Sequence, residues 1–273
     1  MRTPITYYGG KQNMTDIIVP LLPPHRLYCE PFAGGLAIFF AKIPSTEEIV
    51  NDLNSEMANF WEVLKTDFDV LSTEVWKSLH SRALHRQAGV VYNNPDMFDR
   101  VKRAWAVWML TNISFNSRPD CNWGCDILGK RTRALTNKRY GFLPELSERL
   151  KNVGIENRDA VKVIRDNDAP DSLFYVDPPY VGADQGHYAG YTQAAFDSLL
   201  STLSGIAGKF LLSSYPNNRL MKYARESGWY QLEIKMNNTV AAAAAGHRVE
   251  KIEVLTANYP VYEGKVRSPG LFD

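Results

Sequence analysis

The four residues Asp177-Pro178-Pro179-Tyr180 follow an apolar run and join a carboxylate, two prolines and an aromatic ring. Two prolines end a strand sharply and remove two N–H donors, which leaves carbonyl groups free to accept hydrogen bonds. A carboxylate beside a free carbonyl can bind an amine, and a neighbouring ring can stack on a planar base. The cluster therefore predicts a catalytic site in which Asp177 and the Pro178 carbonyl accept from a substrate NH2 and Tyr180 stacks. A plain strand-end turn would explain only the prolines.

Two further features lie nearer the N-terminus. The segment PFAGG at residues 31–35 is a glycine turn between an apolar run and a helical run, where the backbone can approach a ligand closely. It is not the GxGxxG pattern, which disfavours a nicotinamide cofactor. Asp52 lies 18 residues after Gly34, at the end of the next predicted strand. It predicts an acceptor for ribose hydroxyls, with the alternative that Asp52 or Asn54 caps the following helix.

The elements that must position these residues alternate between strand and helix. Strands are predicted at 26–30, 47–52, 154–157, 172–177, 209–215, 229–236 and 251–259, and helices at 36–42, 54–65, 159–165, 194–204 and 217–226. This alternation predicts an α/β fold with a Rossmann-like, mostly parallel sheet and helices on both faces. Ligands of such a sheet bind outside the carboxyl ends of its strands.

The alternation is interrupted by a basic segment. After residue 66 comes a helical stretch rich in Trp, then a segment at 116–138 that is predicted to be irregular. From Lys77 to Arg149 there are 13 Lys and Arg against 6 Asp and Glu, although the whole chain has a net charge of only +1. The sequence predicts a catalytic domain at 1–66 and 149–273 and a mainly helical insertion at 67–148. The basic surface is either a nucleic-acid face or a solvated helical surface.

Composition excludes several classes of protein. With 45% hydrophobic and 22% charged residues among 273, the chain can bury a sizeable core. No apolar run approaches the roughly 20 residues of a membrane span, and the N-terminus lacks the features of a signal peptide. Three cysteines are too few for a disulfide framework, which favours a cytoplasmic location. Cys121 and Cys125 have no second pair or nearby histidine, so no metal site is predicted.

Together the motifs resemble a known family. Tyr8-Gly9-Gly10-Lys11, the turn FAGG at 32–35, the acidic strand end and Asp177 to Tyr180 occur in the order found in S-adenosylmethionine-dependent DNA adenine-N6 methyltransferases of the Dam-like D12 class. The late strand with Glu253-Val254-Leu255 and Asn258-Tyr259 extends the resemblance. It implies a methyltransferase sheet with a target-recognition insertion, S-adenosylmethionine as methyl donor without a metal, and double-stranded DNA as substrate. The insertion departs most from relatives that methylate GATC, so the resemblance does not give the recognition sequence.

The resemblance also implies roles for individual residues. The catalytic residues would be Asp177, Pro178, Pro179 and Tyr180. The cofactor would be bound by Tyr8, Lys11, Phe32, Ala33, Gly34, Asp52, Asp159 and Asp177. Phosphates and base edges would be contacted by Arg118, Lys130, Arg131, Arg133, Lys138 and Arg139. Since adenine N6 is buried in a stacked duplex, the base would be flipped into the site.

Alternatives remain at this point. The same fold and cofactor could serve cytosine N4, an RNA adenine or a protein glutamine, and a DNA-binding module could retain the site without turnover. The resemblance implies a bacterial or phage-infected cell and allows a cognate restriction enzyme as partner. The short length and simple architecture allow a monomer or weak dimer, and no membrane association is predicted. The segment at 181–192 either closes over the site or is an ordinary connection. No function is predicted for the run Ala241 to Ala245.

Overall fold

The computed structural model describes residues 1–124, 128–181, 190–236 and 251–262. Cys125, most of the segment 181–192 and the run Ala241 to Ala245 lie outside these ranges. The chain divides into two compact units: the first comprises Met1–Thr15 and Phe32–Ala160, and the second Asp16–Pro31 and Val161–Asp273. Within the described ranges, no helix combines the length and apolar character needed to cross a bilayer.

The first unit is mainly helical. Its helices are α2 (Ala37–Ala41), α3 (Ser55–Thr66), α4 (Phe68–Lys77), α5 (Arg82–Asn93), α6 (Arg100–Ile113), α7 (Lys130–Tyr140) and α8 (Glu145–Leu150). Short 3-10 turns cover Gln12–Met14, Pro95–Met97 and Phe115–Ser117. Two strands, β2 (Glu47–Asn51) and β3 (Val153–Glu156), pair in parallel, with Asn51 opposite Glu156.

Helix α6 forms the centre of this unit. Residues 104–111 are all buried, because the helix packs against α3, α4 and α5 on different sides. Trp108 is fully buried and Trp105 donates its indole N–H to the Ser78 hydroxyl at 2.7 Å. Burial of a helix around most of its circumference is typical of a core element. Trp105 and Trp108, two aromatic residues of the basic segment, are therefore core residues.

The second unit contains the larger set of paired strands. Its helices are α1 (Thr15–Ile18), α9 (Ala160–Asp166), α10 (Gln193–Leu203) and α11 (Asn218–Ser227), with a 3-10 turn at Val19–Leu21. Its strands are β1 (Leu27–Glu30), β4 (Ser172–Val176), β5 (Lys209–Ser214), β6 (Tyr230–Met236) and β7 (Lys251–Ala257). They are arranged in the order β1-β4-β5-β7-β6.

Strand β4 lies between two parallel neighbours. All five of its residues are buried, as expected for a central parallel strand with a continuous apolar sequence. It pairs with β1 on one side and with β5 on the other, where Val176 lies opposite Leu212. Strand β7 is antiparallel to both β5 and β6. Because Asp177 directly follows β4, it lies at the carboxyl edge of the parallel strands.

The predicted α/β class with mostly parallel strands is confirmed, and the predicted element ends differ from the observed ones by one or two residues. One prediction was wrong, since the segment 116–138 is not irregular throughout: α7 begins at Lys130. Its Lys, Arg, Ala and Leu residues favour a helix, which starts directly after Gly129 at φ +66°. Helices on both faces and a separately folded insertion at 67–148 stay predictions.

Candidate active site

The glycine turn of the first unit is fixed by backbone contacts with the end of β2. The Ala33 N–H donates to the Asn51 carbonyl at 2.7 Å, and the Gly34 N–H donates to Asp52 Oδ2 at 2.9 Å. Gly34 has φ +44° and Leu36 has φ 51°, so the chain turns through the left-handed region twice. Such a conformation costs little at glycine and more at leucine. Phe32, which is half-buried, directly precedes this turn.

Asp52 is a buried acceptor. Its side chain is 5% exposed, and its second oxygen, Oδ1, accepts from the Asn54 N–H at 2.9 Å. Asn54 is the cap of α3, because its own side chain accepts from the Glu56 N–H at 3.0 Å. Burial raises the pKa of Asp52 from 3.8 to about 6, opposed by the N–H groups of Asn54 and Gly34. Each oxygen keeps a lone pair, so Asp52 can accept two more hydrogen bonds.

The ends of β2 and β3 are joined by asparagine side chains that the sequence reasoning missed. Asn51 donates to the Arg158 carbonyl at 3.0 Å and accepts from the Arg158 N–H at 2.9 Å. Asn157 donates to the Asp52 carbonyl at 2.7 Å. Asp159 directly follows Arg158 and is exposed. These contacts place Asp52 and Asp159 at the same edge of the β2–β3 pair.

Tyr8 and Lys11 belong to a tight turn near the N-terminus. The Gly10 N–H donates to the Tyr7 carbonyl at 2.9 Å, and Gly9 has φ +74°. Lys11 is only 7% exposed, and its Nζ donates to the Gly9 carbonyl at 2.9 Å. Lys11 is thus a cation whose ammonium group is held against the backbone of its own turn.

In the second unit, the side chain of Tyr180 turns back towards Asp177. The Tyr180 hydroxyl lies 3.1 Å from Asp177 Oδ1 and also hydrogen-bonds with Glu253 Oε1. Glu253, on β7, accepts a second hydrogen bond at the same oxygen from the Ser213 hydroxyl of β5 at 2.9 Å. The Tyr215 ring meets the Tyr180 ring edge to face, with centroids 4.4 Å apart.

This edge of the second unit is acidic. Burial, and next the charge of Asp177, raise the pKa of Tyr180 and of Tyr175 well above the usual value. Glu253 and Glu30, which are 5% and 2% exposed, contribute to the same effect on Tyr175. Both phenols therefore stay neutral at physiological pH. Three carboxylates around them provide a negative potential that favours a cationic ligand.

The basic residues predicted to contact DNA fall into two groups. Lys130 and Arg133 are exposed in the first two turns of α7, and Arg131 is half-exposed between them. The other three, Arg118, Lys138 and Arg139, lie elsewhere in the first unit. Lys138 donates to the Thr3 carbonyl at 3.0 Å, and burial, followed by the nearby charge of Arg2, lowers its pKa to about 8.

The two remaining arginines contact aromatic rings. The Arg139 guanidinium lies 5.4 Å from the centre of the Trp76 ring, and the Arg118 guanidinium lies 5.5 Å from that of Tyr8. Arg118 also forms an ion pair with Asp120, at 2.8 Å between its Nη2 and Oδ2. Cation–π contacts of this kind hold a guanidinium in place. Arg118 is thus positioned beside Tyr8.

Each unit has a carboxylate at the carboxyl end of a parallel strand, and the first also has the glycine turn, as is typical of ligand-binding α/β enzymes. The chain belongs to the D12 class N6 adenine-specific DNA methyltransferase family, whose model matches residues 7–238. It is 26% identical over 203 residues to the type II methyltransferase M1.LlaDCHI of Lactococcus lactis subsp. cremoris, covering 69% of each chain. It is 27% identical over 187 residues to the DNA N-6-adenine-methyltransferase of Escherichia phage P1, covering 66% of this chain and 24% of that protein.

Family membership decides between the functions that the motifs left open. The protein is an adenine-specific DNA methyltransferase, which sets aside cytosine N4, RNA adenine, protein glutamine and a binding module without turnover. The family implies S-adenosylmethionine as the methyl donor and DNA as the substrate. The predictions of the family and of the reaction are therefore confirmed. The roles of individual residues stay proposals.

Proposed function

We propose that Asp177, Pro178, Pro179 and Tyr180 bind the target adenine, flipped out of double-stranded DNA. The cofactor is assigned to Tyr8, Lys11, Phe32, Ala33, Gly34, Asp52, Asp159 and Asp177. Asp52 is suited to the ribose hydroxyls because it is buried and both of its oxygens keep free lone pairs. The buried carboxylates near Asp177 suit a sulfonium cation.

S-adenosylmethionine supplies a methyl group that is already activated by its positive sulfur, so the protein must mainly align and stabilise. Adenine N6 is a weak nucleophile, because its lone pair is delocalised into the ring. Hydrogen bonds from the amine to Asp177 and to the Pro178 carbonyl draw the nitrogen towards a tetrahedral geometry and stabilise its developing positive charge. Asp177 is then the nearest base for the proton that the methylated nitrogen loses.

The Tyr180 ring stacks on the flipped adenine in this proposal. Flipping costs a few kcal/mol of lost stacking and pairing, which an aromatic platform in the pocket partly offsets. The neutral state of Tyr180 supports this role, because an uncharged ring is not repelled by the acidic residues around it.

The basic residues of the predicted target-recognition insertion at 67–148 are assigned to the DNA backbone and base edges. Lys130, Arg131 and Arg133 are the strongest candidates, because they lie together at the start of α7. Arg118, Lys138 and Arg139 stay in the assignment, with the intramolecular contacts described above. We propose that the protein is a monomer or weak dimer in the cytoplasm of a bacterial or phage-infected cell. The type II name of the Lactococcus relative supports a partner restriction enzyme.

The observation that carries the assignment is the carboxylate of Asp177, held at the end of buried β4 with the Tyr180 hydroxyl 3.1 Å away. Asp177→Ala and Asp177→Asn should each lower the single-turnover rate constant of methyl transfer by about 100-fold or more. Asp171→Asn is the matched control: this aspartate precedes the same strand and pairs with Arg26 at 2.7 Å on the surface. It should keep the wild-type rate constant. Wild-type transfer by Asp177→Ala would contradict the assignment.

A further inference from the structure

Glu253 is a buried carboxylate that the assigned catalytic and cofactor residues do not include. It lies in β7, is 5% exposed, and accepts at one oxygen, Oε1, from both Ser213 and Tyr180. Burying a carboxylate is costly unless hydrogen-bond donors compensate for lost water. These donors come from β5 and from the residues after β4, so the carboxylate links three segments of the second unit.

Tyr180 is held at two places. Its hydroxyl lies between Glu253 and Asp177, and its ring meets the edge of the Tyr215 ring. The hydroxyl oxygen of a tyrosine lies on the axis of its second side-chain torsion angle, so the contact with Glu253 fixes the direction of the ring axis. Packing against the Tyr215 ring then limits rotation of the ring about that axis. A hydroxyl has one hydrogen and donates it to one carboxylate at a time. Glu253 Oε1 and Asp177 Oδ1 are therefore two alternative acceptors for the Tyr180 hydroxyl.

We propose that Glu253 is a positioning residue of the target-base pocket, which fixes the position of the Tyr180 ring while Ser213 holds Glu253 in place. The proposal rests on the proposed function, in which Tyr180 stacks on the flipped adenine. Glu253 acts through Tyr180 and does not touch the reacting amine. Correct placement of groups around a reacting centre contributes strongly to rate, so loss of this contact should slow methyl transfer.

The test is a double-mutant cycle between the two partners. Single-turnover rate constants are measured with methyl-labelled S-adenosylmethionine and unmethylated genomic DNA for Glu253→Ala, Tyr180→Phe and the double variant. Each single change should lower the rate constant about 10-fold, and the double variant should be no slower than either one. Both changes delete the same contact. A double variant about 100-fold slower, the product of the single effects, would overturn the proposal, because Glu253 would then act independently of Tyr180.

A conservative variant separates positioning from a general structural role. Glu253→Gln keeps an oxygen that can accept from the Tyr180 hydroxyl, so its rate constant should stay within about 3-fold of the wild type. A loss as large as that of Glu253→Ala would contradict positioning. Glu233→Ala changes an exposed glutamate of the neighbouring strand β6 and should leave the rate constant unchanged.

Two further readouts keep the outcome interpretable. The dissociation constant for S-adenosylmethionine should change less than 2-fold in Tyr180→Phe, since this change leaves the three carboxylates near Asp177 in place. If Glu253→Ala lowers the melting temperature, the rate constant of Tyr180→Phe tests the proposal instead, because this change removes only the hydroxyl. A wild-type rate constant for Tyr180→Phe would overturn the proposal. Failure of the proposed function is distinguishable, because Asp177→Ala would then retain methyl transfer.

Discussion

Replacing Asp52 by Asn should change both the affinity for S-adenosylmethionine and its dependence on pH. Asp52 accepts two backbone N–H groups at 2.9 Å and is 5% exposed, so little solvent competes at its remaining lone pairs. Hydrogen bonds to a charged group contribute roughly 1.5–3 kcal/mol. Loss of the charge should therefore weaken binding at pH 8 by roughly 10- to 100-fold.

The pH dependence follows from the pKa of about 6 that burial gives to Asp52. About half of the carboxylate is ionised at pH 6 and about a tenth at pH 5. Affinity of the wild type should therefore fall about 2-fold at pH 6 and about 10-fold at pH 5, relative to its value at high pH. Asp52→Asn should lack this component, and isothermal titration calorimetry between pH 5 and pH 8 measures both proteins.

The sign of the effect on stability separates this titration from acid unfolding. Because the pKa of Asp52 is raised in the folded state, protonation below pH 6 relieves the cost of a buried charge. This residue therefore makes the folded state relatively more stable as the pH falls, while cofactor affinity decreases. Equal affinities at pH 5 and pH 8 for the wild type, or the same pH profile in Asp52→Asn, would refute the reasoning.

Three other predictions concern stability and DNA binding. Glu48→Gln should lower the free energy of unfolding at pH 7 by about 3–5 kcal/mol, measured by urea denaturation, because it leaves Lys42 and Arg149 buried without their shared carboxylate. Burial raises the pKa of Glu48, but hydrogen bonds from Arg149 and Lys42 outweigh this effect and hold the pKa below 4.5. The contribution of Glu48 to the free energy of unfolding should therefore persist above pH 4.5 and disappear as the pH falls through the lowered pKa. Changing both Lys130 and Arg133 to Ala should weaken the salt dependence of DNA binding, which is the slope of log K against log salt concentration. The slope should fall by about 2, because each cation neutralises one phosphate. An unchanged slope would contradict the assignment of these two residues to the DNA backbone.

Much of the candidate site could be predicted because short sequence segments determine it. A glycine turn after one strand, an acidic residue after the next and prolines after a third are local features, and the structure places each of them at a strand end. Asn54 as the cap of α3 resolves an alternative that the sequence left open, since both Asp52 and Asn54 are suitable capping residues.

The remaining features depend on contacts between distant residues. Glu253 is 73 residues from Tyr180, and it reaches the pocket only because β7 pairs antiparallel with β5. Lys138 is 135 residues from Thr3. The sequence predicts a lysine that contacts DNA, whereas in the structure its ammonium group donates to the Thr3 carbonyl of the N-terminal segment. Local patterns carry no information about such pairings, which tertiary packing determines.

The most direct test of the central claim is to identify the modified nucleoside. The wild type and Asp177→Ala are incubated with methyl-labelled S-adenosylmethionine and unmethylated genomic DNA, and the DNA is digested to nucleosides and separated. Label should appear in N6-methyladenine for the wild type and not for Asp177→Ala, which should still bind DNA. Label in another nucleoside, or equal N6-methyladenine from both proteins, would contradict the proposed reaction and the role of Asp177.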